Sequence, residues 1–171
     1  EELPRDGEAS GALKVKGPWI MHTYYKAEEP AVDDEGWFDT GDVATIHPDG
    51  CMQIVDRAKD VIKTGGEWIS SIDLENAVLT HQNVVEACVV GVPHPKWDER
   101  PVALVILVEG SNVTRELILE HCASIFARWQ LPDDVIFVES IPLTTTGKID
   151  KKTIRAELDE TNYQLPDMRT A

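Results

Sequence analysis

The run Pro101-Val102-Ala103-Leu104-Val105-Ile106-Leu107-Val108 has no polar face. Alternate side chains of a strand point to opposite faces of its sheet, so a strand that is apolar throughout is buried on both sides. The rest of the chain must therefore cover two faces, and the neighbouring sequence offers the covers. Ser70-Ser71-Ile72-Asp73 resembles a capping box and predicts a helix to about Thr80, with Ile72, Leu74, Val78 and Leu79 available for packing. Thr114 can cap a second helix reaching about Trp129, on which Ile118, Cys122, Ile125, Phe126 and Trp129 form one stripe. Val84 to Val92, ended by Pro93, and Val135 to Val138 read as companion strands, and a last short helix starts at about Asp150. This order predicts a small α/β sandwich with a three-stranded core sheet.

Upstream the texture differs. Ala12-Leu13-Lys14-Val15-Lys16 alternates apolar and polar and stops at Gly17-Pro18. Val43-Ala44-Thr45-Ile46 and Cys51-Met52-Gln53-Ile54-Val55 flank the hairpin turn Pro48-Asp49-Gly50. The first third thus reads as a small antiparallel β segment. Between the two textures, Arg57, Lys59, Asp60 and Lys63 crowd charge ahead of the pair Gly65-Gly66, which marks a junction rather than a core. The expectation is an α+β chain: a β-rich piece over residues 1–58, an α/β domain over 59–158 and a flexible tail over 159–171.

A formal net charge of −15 argues against general binding to nucleic acid or an anionic membrane, since the long-range field repels both. The exception is a basic island, Lys148, Lys151, Lys152 and Arg155, which composition alone reads as a basic helix start. Cys51, Cys88 and Cys122 are widely spaced, and with the scattered histidines they form no metal pattern; reduced thiols in a cytoplasmic protein are expected, with no metal site. No run approaches the roughly 18 apolar residues of a membrane span. The chain begins Glu1-Glu2, so a piece of a longer protein is one reading of it.

Three stretches carry possible chemistry. Thr144-Thr145-Thr146-Gly147-Lys148 is not a phosphate-binding P-loop, because Pro142 and Ile149 stand where that motif needs glycine and a hydroxyl residue, yet a loop ending in lysine can still present a point charge to an anion. Asp42 closes Trp37-Phe38-Asp39-Thr40-Gly41-Asp42 at a turn before a strand, where a carboxylate can accept two hydrogen bonds from a vicinal diol such as ribose. Taken singly, Lys148 is an exposed lysine, Asp42 a turn-stabilising aspartate and Gly65-Gly66 a turn.

Together they say more. Gly36-Trp37-Phe38-Asp39-Thr40-Gly41-Asp42, then Asp56-Arg57-Ala58-Lys59-Asp60-Val61-Ile62-Lys63-Thr64-Gly65-Gly66-Glu67-Trp68-Ile69, then Pro142-Leu143-Thr144-Thr145-Thr146-Gly147-Lys148-Ile149-Asp150-Lys151, in this order, resemble the acyl-adenylate-forming superfamily. That family includes acyl-CoA synthetases, adenylation domains of peptide synthetases and luciferases. The resemblance runs from about Gly11 to Leu158.

The resemblance implies activation of a carboxylic acid by ATP, with magnesium in the full-length enzyme, to an acyl-AMP, and transfer of the acyl group to CoA. On it, Asp42 and Arg57 match the nucleotide's ribose contacts, and Lys148 matches the catalytic lysine of adenylation. Lys59 falls on the hinge about which the C-terminal domain turns between half-reactions. Gly66, with Gly65, Glu67 and Trp68 beside it, matches the pantetheine tunnel. The family's phosphate-binding loop and acyl pocket lie upstream of what this sequence contains. The implied partner is thus an N-terminal domain, and the fragment alone is expected to be inactive. The wording Gly65-Gly66-Glu67-Trp68-Ile69-Ser70-Ser71 favours a fatty-acid or methylmercaptopropionate type of ligase. A peptide-synthetase or luciferase-like branch, or a non-catalytic module binding nucleotide or CoA, stays open, as do the acyl substrate and homo-oligomer formation.

Overall fold

The computed structural model describes residues 2–166. The chain divides into two compact units, Glu1–Lys59 and a second beginning at Asp60.

The first unit is a three-stranded antiparallel sheet in the order β1-β2-β3: β1 Gly11–Val15, β2 Phe38–Ile46, β3 Met52–Arg57. The β2–β3 hairpin turns at the expected Pro48-Asp49-Gly50, where Gly50 takes φ +88° and the Asp49 carboxylate accepts from the Cys51 amide at 2.9 Å. β2 starts five residues earlier than the alternation suggests. Asp42 therefore sits inside a strand, directly opposite Arg57, and not at a turn before one. The signal was hidden because Gly41 bends the strand at φ +72° and the β2–β3 register slips between Val43 and Ala44.

The second unit is a five-stranded mixed sheet covered on both faces. Its long strands are β6 Val84–His94, β7 Asp98–Leu107 and β8 Asp134–Phe137. β6 pairs with β7 antiparallel, and β8 lies parallel on β7's other edge. These are the three expected core strands. Two three-residue strands join them: β4 Ile62–Thr64 pairs with β7 at Thr64–Asp98, and β5 Glu67–Ile69 pairs with β4. Three residues are too few to show a period, so only the glycine pair between them announced the hairpin. β6 also runs through Pro93, the expected stop. As the edge strand it needs no inter-strand donor on its open side.

The faces divide as period two demands. Ala87, Val89, Ala103, Val105 and Val135 meet Leu74 and Val78 of α1 (Ser71–Leu79) and Ile118 and Cys122 of α2 (Arg115–Ala123). Cys88, Val90, Val92, Val102 and Leu104 meet Ile154 of α3 (Lys151–Glu160) and Ile141 of the preceding loop. β7 is thus buried on both faces, as its composition requires. α2 is shorter than its stripe implied: Ser124 Oγ turns back to the His121 carbonyl at 2.7 Å, the helix ends, and Ile125 and Trp129 are left half-exposed. The expected tail also begins too early. α3 includes Asp159 and Glu160, and Tyr163 and Leu165 pack on the second core cluster; residues 167–171 lie outside the described residues. Cys88 and Cys122 are buried free thiols, pushed up by burial to about 12 and about 11, and so stay protonated at neutral pH; Cys51 is an exposed thiol.

Candidate functional site

The sequence-predicted residues fall into four places. In the first unit, cross-strand pairing of β2 and β3 sets Asp42 opposite Arg57, and Arg57 Nε meets Asp42 Oδ1 at 3.0 Å. Arg57 Nη1 also donates to the Thr40 carbonyl at 3.2 Å. The guanidinium is thus held on the strand while half of it stays exposed, and Asp42 is largely shielded. A carboxylate fixed through one oxygen keeps its second oxygen for a ligand's hydroxyls.

Lys59 lies between two anchored neighbours. The Ala58 amide donates to the Gly41 carbonyl at 2.9 Å, which ties it to the first unit. Asp60 Oδ1 receives Arg155 Nη2 at 2.7 Å, which ties it to α3 of the second. Lys59 itself is exposed.

The β4–β5 hairpin gathers Gly65, Gly66, Glu67 and Trp68. Gly65 and Gly66 have φ +58° and +90°, the two-residue turn whose twist matches its strands and that favours glycine at both centres. The Gly65 amide donates to the Trp97 carbonyl at 2.9 Å. A Cβ on Gly65 would stand 3.0 Å from Trp97 Cε3, whereas one on Gly66 would meet nothing within 4 Å. One glycine is therefore required by packing, and the other leaves an open backbone surface. Gly65→Ala is expected to cost about 1–2 kcal/mol in urea unfolding, from the left-handed backbone and the Trp97 ring together. An unchanged midpoint would show that the turn does not hold this conformation.

Lys148 stands on the loop between β8 and α3. This loop is closed by the Leu143–Ile149 bridge, by Thr144 N to Lys148 O at 2.7 Å, and by Gly147 at φ +79°. Asp150 caps α3, accepting from the Thr153 amide at 3.2 Å and its hydroxyl at 3.0 Å; the amide above all holds this half-buried carboxyl below its usual range. Among the described residues the Lys148 ammonium has neither an ion pair nor a hydrogen bond.

The rest of the basic island is differently employed. Lys151 Nζ, mostly buried, donates to Ser71 Oγ at 2.6 Å and to Glu75 Oε1 at 2.8 Å, and Arg155 takes Asp60. Two of the four cations fasten α3 down, and Lys148 and Lys152 stay exposed. The composition-based reading of a basic helix start merges two functions that the burial separates.

Sequence reasoning missed Trp97, just before β7, and Arg100 within it, which bond to Gly65 and Thr64 at the glycine turn. Arg100 is 9% exposed, and its presence at the head of an apolar run was the available signal. Beside the turn an open groove of about 1380 Å³ is lined by Gly65, Glu67, Lys96, Trp97, Arg128 and Trp129 among others. Lys96 Nζ sits 4.3 Å above the Trp97 ring.

This small α+β domain, sheet between helices, has the fold of the C-terminal domain of AMP-binding enzymes. Residues 73–148 match the model of the AMP-binding enzyme C-terminal domain, in keeping with the resemblance of the sequence to the acyl-adenylate-forming superfamily. Two curated relatives are similar over more than nine-tenths of the chain. The 3-methylmercaptopropionyl-CoA ligase of Ruegeria lacuscaerulensis is 46% identical over 159 residues, 93% of this chain and 30% of that protein. The long-chain-fatty-acid–CoA ligase of Thermus thermophilus is 49% identical over 159 residues, 91% of this chain and 29% of that protein. Among solved structures, ATP-bound MatB from Rhodopseudomonas palustris aligns with TM-score 0.85 at 31% identity, over 94% of this chain and 32% of that one. The chain thus spans about three-tenths of the length of the relatives it matches.

Proposed function

We propose that this chain supplies the C-terminal share of an AMP-forming acid–thiol ligase: carboxylic acid, ATP and CoA give acyl-CoA, AMP and pyrophosphate by way of an acyl-adenylate. The observation that carries this reading is the Lys148 ammonium, unpaired among the described residues, on a loop whose base is fastened by capping and by buried ion pairs. A carboxylate attacking the α-phosphate of ATP brings anion onto anion. A cation held ready for both, on a scaffold that need not reorganise, stabilises the charge that develops.

The other residues fit the same cycle. Asp42, steadied by Arg57, accepts the ribose hydroxyls. Lys59 is the pivot between adenylation and thiol transfer. The open Cα of Gly66 lets a slender thiol arm pass against the backbone, with Glu67 and Trp68 along its flank. The groove beside Gly65, with its cations and exposed indoles, suits the nucleotide end of such a thiol. Magnesium would arrive with the nucleotide. Among the described residues no helix is long and apolar enough to cross a membrane. The names of the relatives make fatty and other small carboxylic acids the first substrates to try.

The test joins this chain to the upstream portion of the Thermus thermophilus relative and measures ATP–pyrophosphate exchange and acyl-CoA formation across an acid panel. The fusion should do both and the chain alone neither. A folded fusion inactive with every acid, or exchange by the chain alone, would overturn the reading.

A further inference from the structure

We propose that Arg100 is a positioning residue for the Gly65–Gly66 turn, locking the end of β4 to the segment 129–133 so that the turn keeps its place in thiol transfer; the activity half of this rests on the function proposed above. The geometry is unusually complete. Arg100 Nε donates to both carboxylate oxygens of Asp133 at 3.0 Å, and Nη2 adds a third bond to Asp133 Oδ1 at 2.6 Å. Nη2 also reaches the Leu131 carbonyl at 3.0 Å, and Nη1 the Trp129 carbonyl at 2.7 Å. The remaining N–H of Nη1 goes to Thr64 Oγ1 at 3.2 Å. All five donors of one buried guanidinium are thereby used, and one of them holds the residue immediately before the glycine pair.

The placement explains why a buried arginine stands immediately before the apolar run of β7. β4 is three residues long and touches β7 in register only at Thr64–Asp98. So short a strand does not fix its own turn. The start of β7 and the residue before it fix it from two points, the Trp97 carbonyl on the Gly65 amide and the Arg100 guanidinium on the Thr64 hydroxyl. Thr64 is itself buried, at 5% exposure, so this hydroxyl has no water to fall back on. Lysine is not an equivalent, since a point charge with three donors cannot span a carboxylate, two carbonyls and a hydroxyl at once.

Two variants test the proposal, Arg100→Lys and the gentler Thr64→Val, which deletes only the link between the guanidinium and the hairpin. In this chain, hydrogen exchange of the Gly65 amide should accelerate about tenfold or more in Thr64→Val, with amides of the β6–β7 core unchanged. In the fusion described above, KM for CoA should rise about tenfold with Thr64→Val, and the loss in thioester formation should exceed any loss in pyrophosphate exchange by a similar factor. An unchanged Gly65 exchange rate in Thr64→Val, or equal losses in both half-reactions, would overturn the role given to Arg100. Should the unsubstituted fusion show no adenylation at all, the proposed function fails, and the exchange rate at Gly65 still decides whether Arg100 holds the turn.

Discussion

Replacing Lys148 by alanine in the fused ligase should lower ATP–pyrophosphate exchange by about 10²–10³-fold, the usual cost of removing one preorganised charge-stabilising group. The same variant, given a preformed acyl-adenylate, should transfer the acyl group to CoA within a few-fold of the unsubstituted rate. The asymmetry follows from the loop. Lys148 shares no ion pair or hydrogen bond through its ammonium among the described residues, so its removal leaves no buried partner unpaired. The loop backbone closes through Thr144, Gly147 and the Leu143–Ile149 bridge, none of which uses the lysine side chain. Unfolding stability should therefore stay within about 0.5 kcal/mol, as for other exposed substitutions. A comparable fall in both half-reactions would mean that Lys148 serves the fold or a shared binding step. Undiminished exchange would remove it from the chemistry altogether.

That loop also shows how far a sequence can be read. Its position was legible, because a proline-and-glycine turn separates a short apolar strand from a capped helix. The identity of the functional cation was legible only through resemblance, since four cations in eight positions look alike on composition. What separates them is burial. Lys151 and Arg155 lie on the face of α3 that carries Ile154 into the core, at helical spacing, and each finds a carboxylate there. The carboxylates are Glu75 and Asp60, remote in sequence, and no local pattern pairs them. The same limit hid Arg100, whose partners come from two remote segments, Thr64 and residues 129–133.

The sheet divides in the same way. β6 and β7 announced themselves because ten paired residues of alternating faces leave a long apolar trace. β4 and β5 left none, and the glycine pair between them read as any turn would. Where the expectation stopped short, at Pro93 or at Asp42, a local breaker rule gave way to a neighbouring strand. Pro93 is tolerated because β6 is an edge, and Gly41 is absorbed as a bend that brings Asp42 opposite Arg57. Propensity reads residues one at a time, whereas pairing is decided by the partner.

The buried cation of the island gives the second large effect. Lys151→Ala should destabilise the second unit by about 3 kcal/mol or more, because it strands Glu75 behind α3 without its counter-charge. Lys151 and Glu75 are only 12% and 14% exposed, so water does little to replace the lost partner. At roughly 4 °C per kcal/mol for a domain near 100 residues, the melting temperature should fall by about 12 °C. Lys152→Ala, one residue along on the exposed side, should change it by less than about 2 °C on the same scale. Glu75 Oε1 also accepts from the Val89 amide at 2.8 Å, so the carboxylate serves the core strand as well as the helix. Adding Glu75→Gln to Lys151→Met removes the stranded charge and keeps an acceptor for that amide. The double variant should then regain most of the stability lost by Lys151→Met alone, with a coupling of about 1–3 kcal/mol in a thermodynamic cycle. Additive losses would mean that the two residues stabilise α1 and α3 separately, and that the base of the Lys148 loop is fastened by something other than this pair.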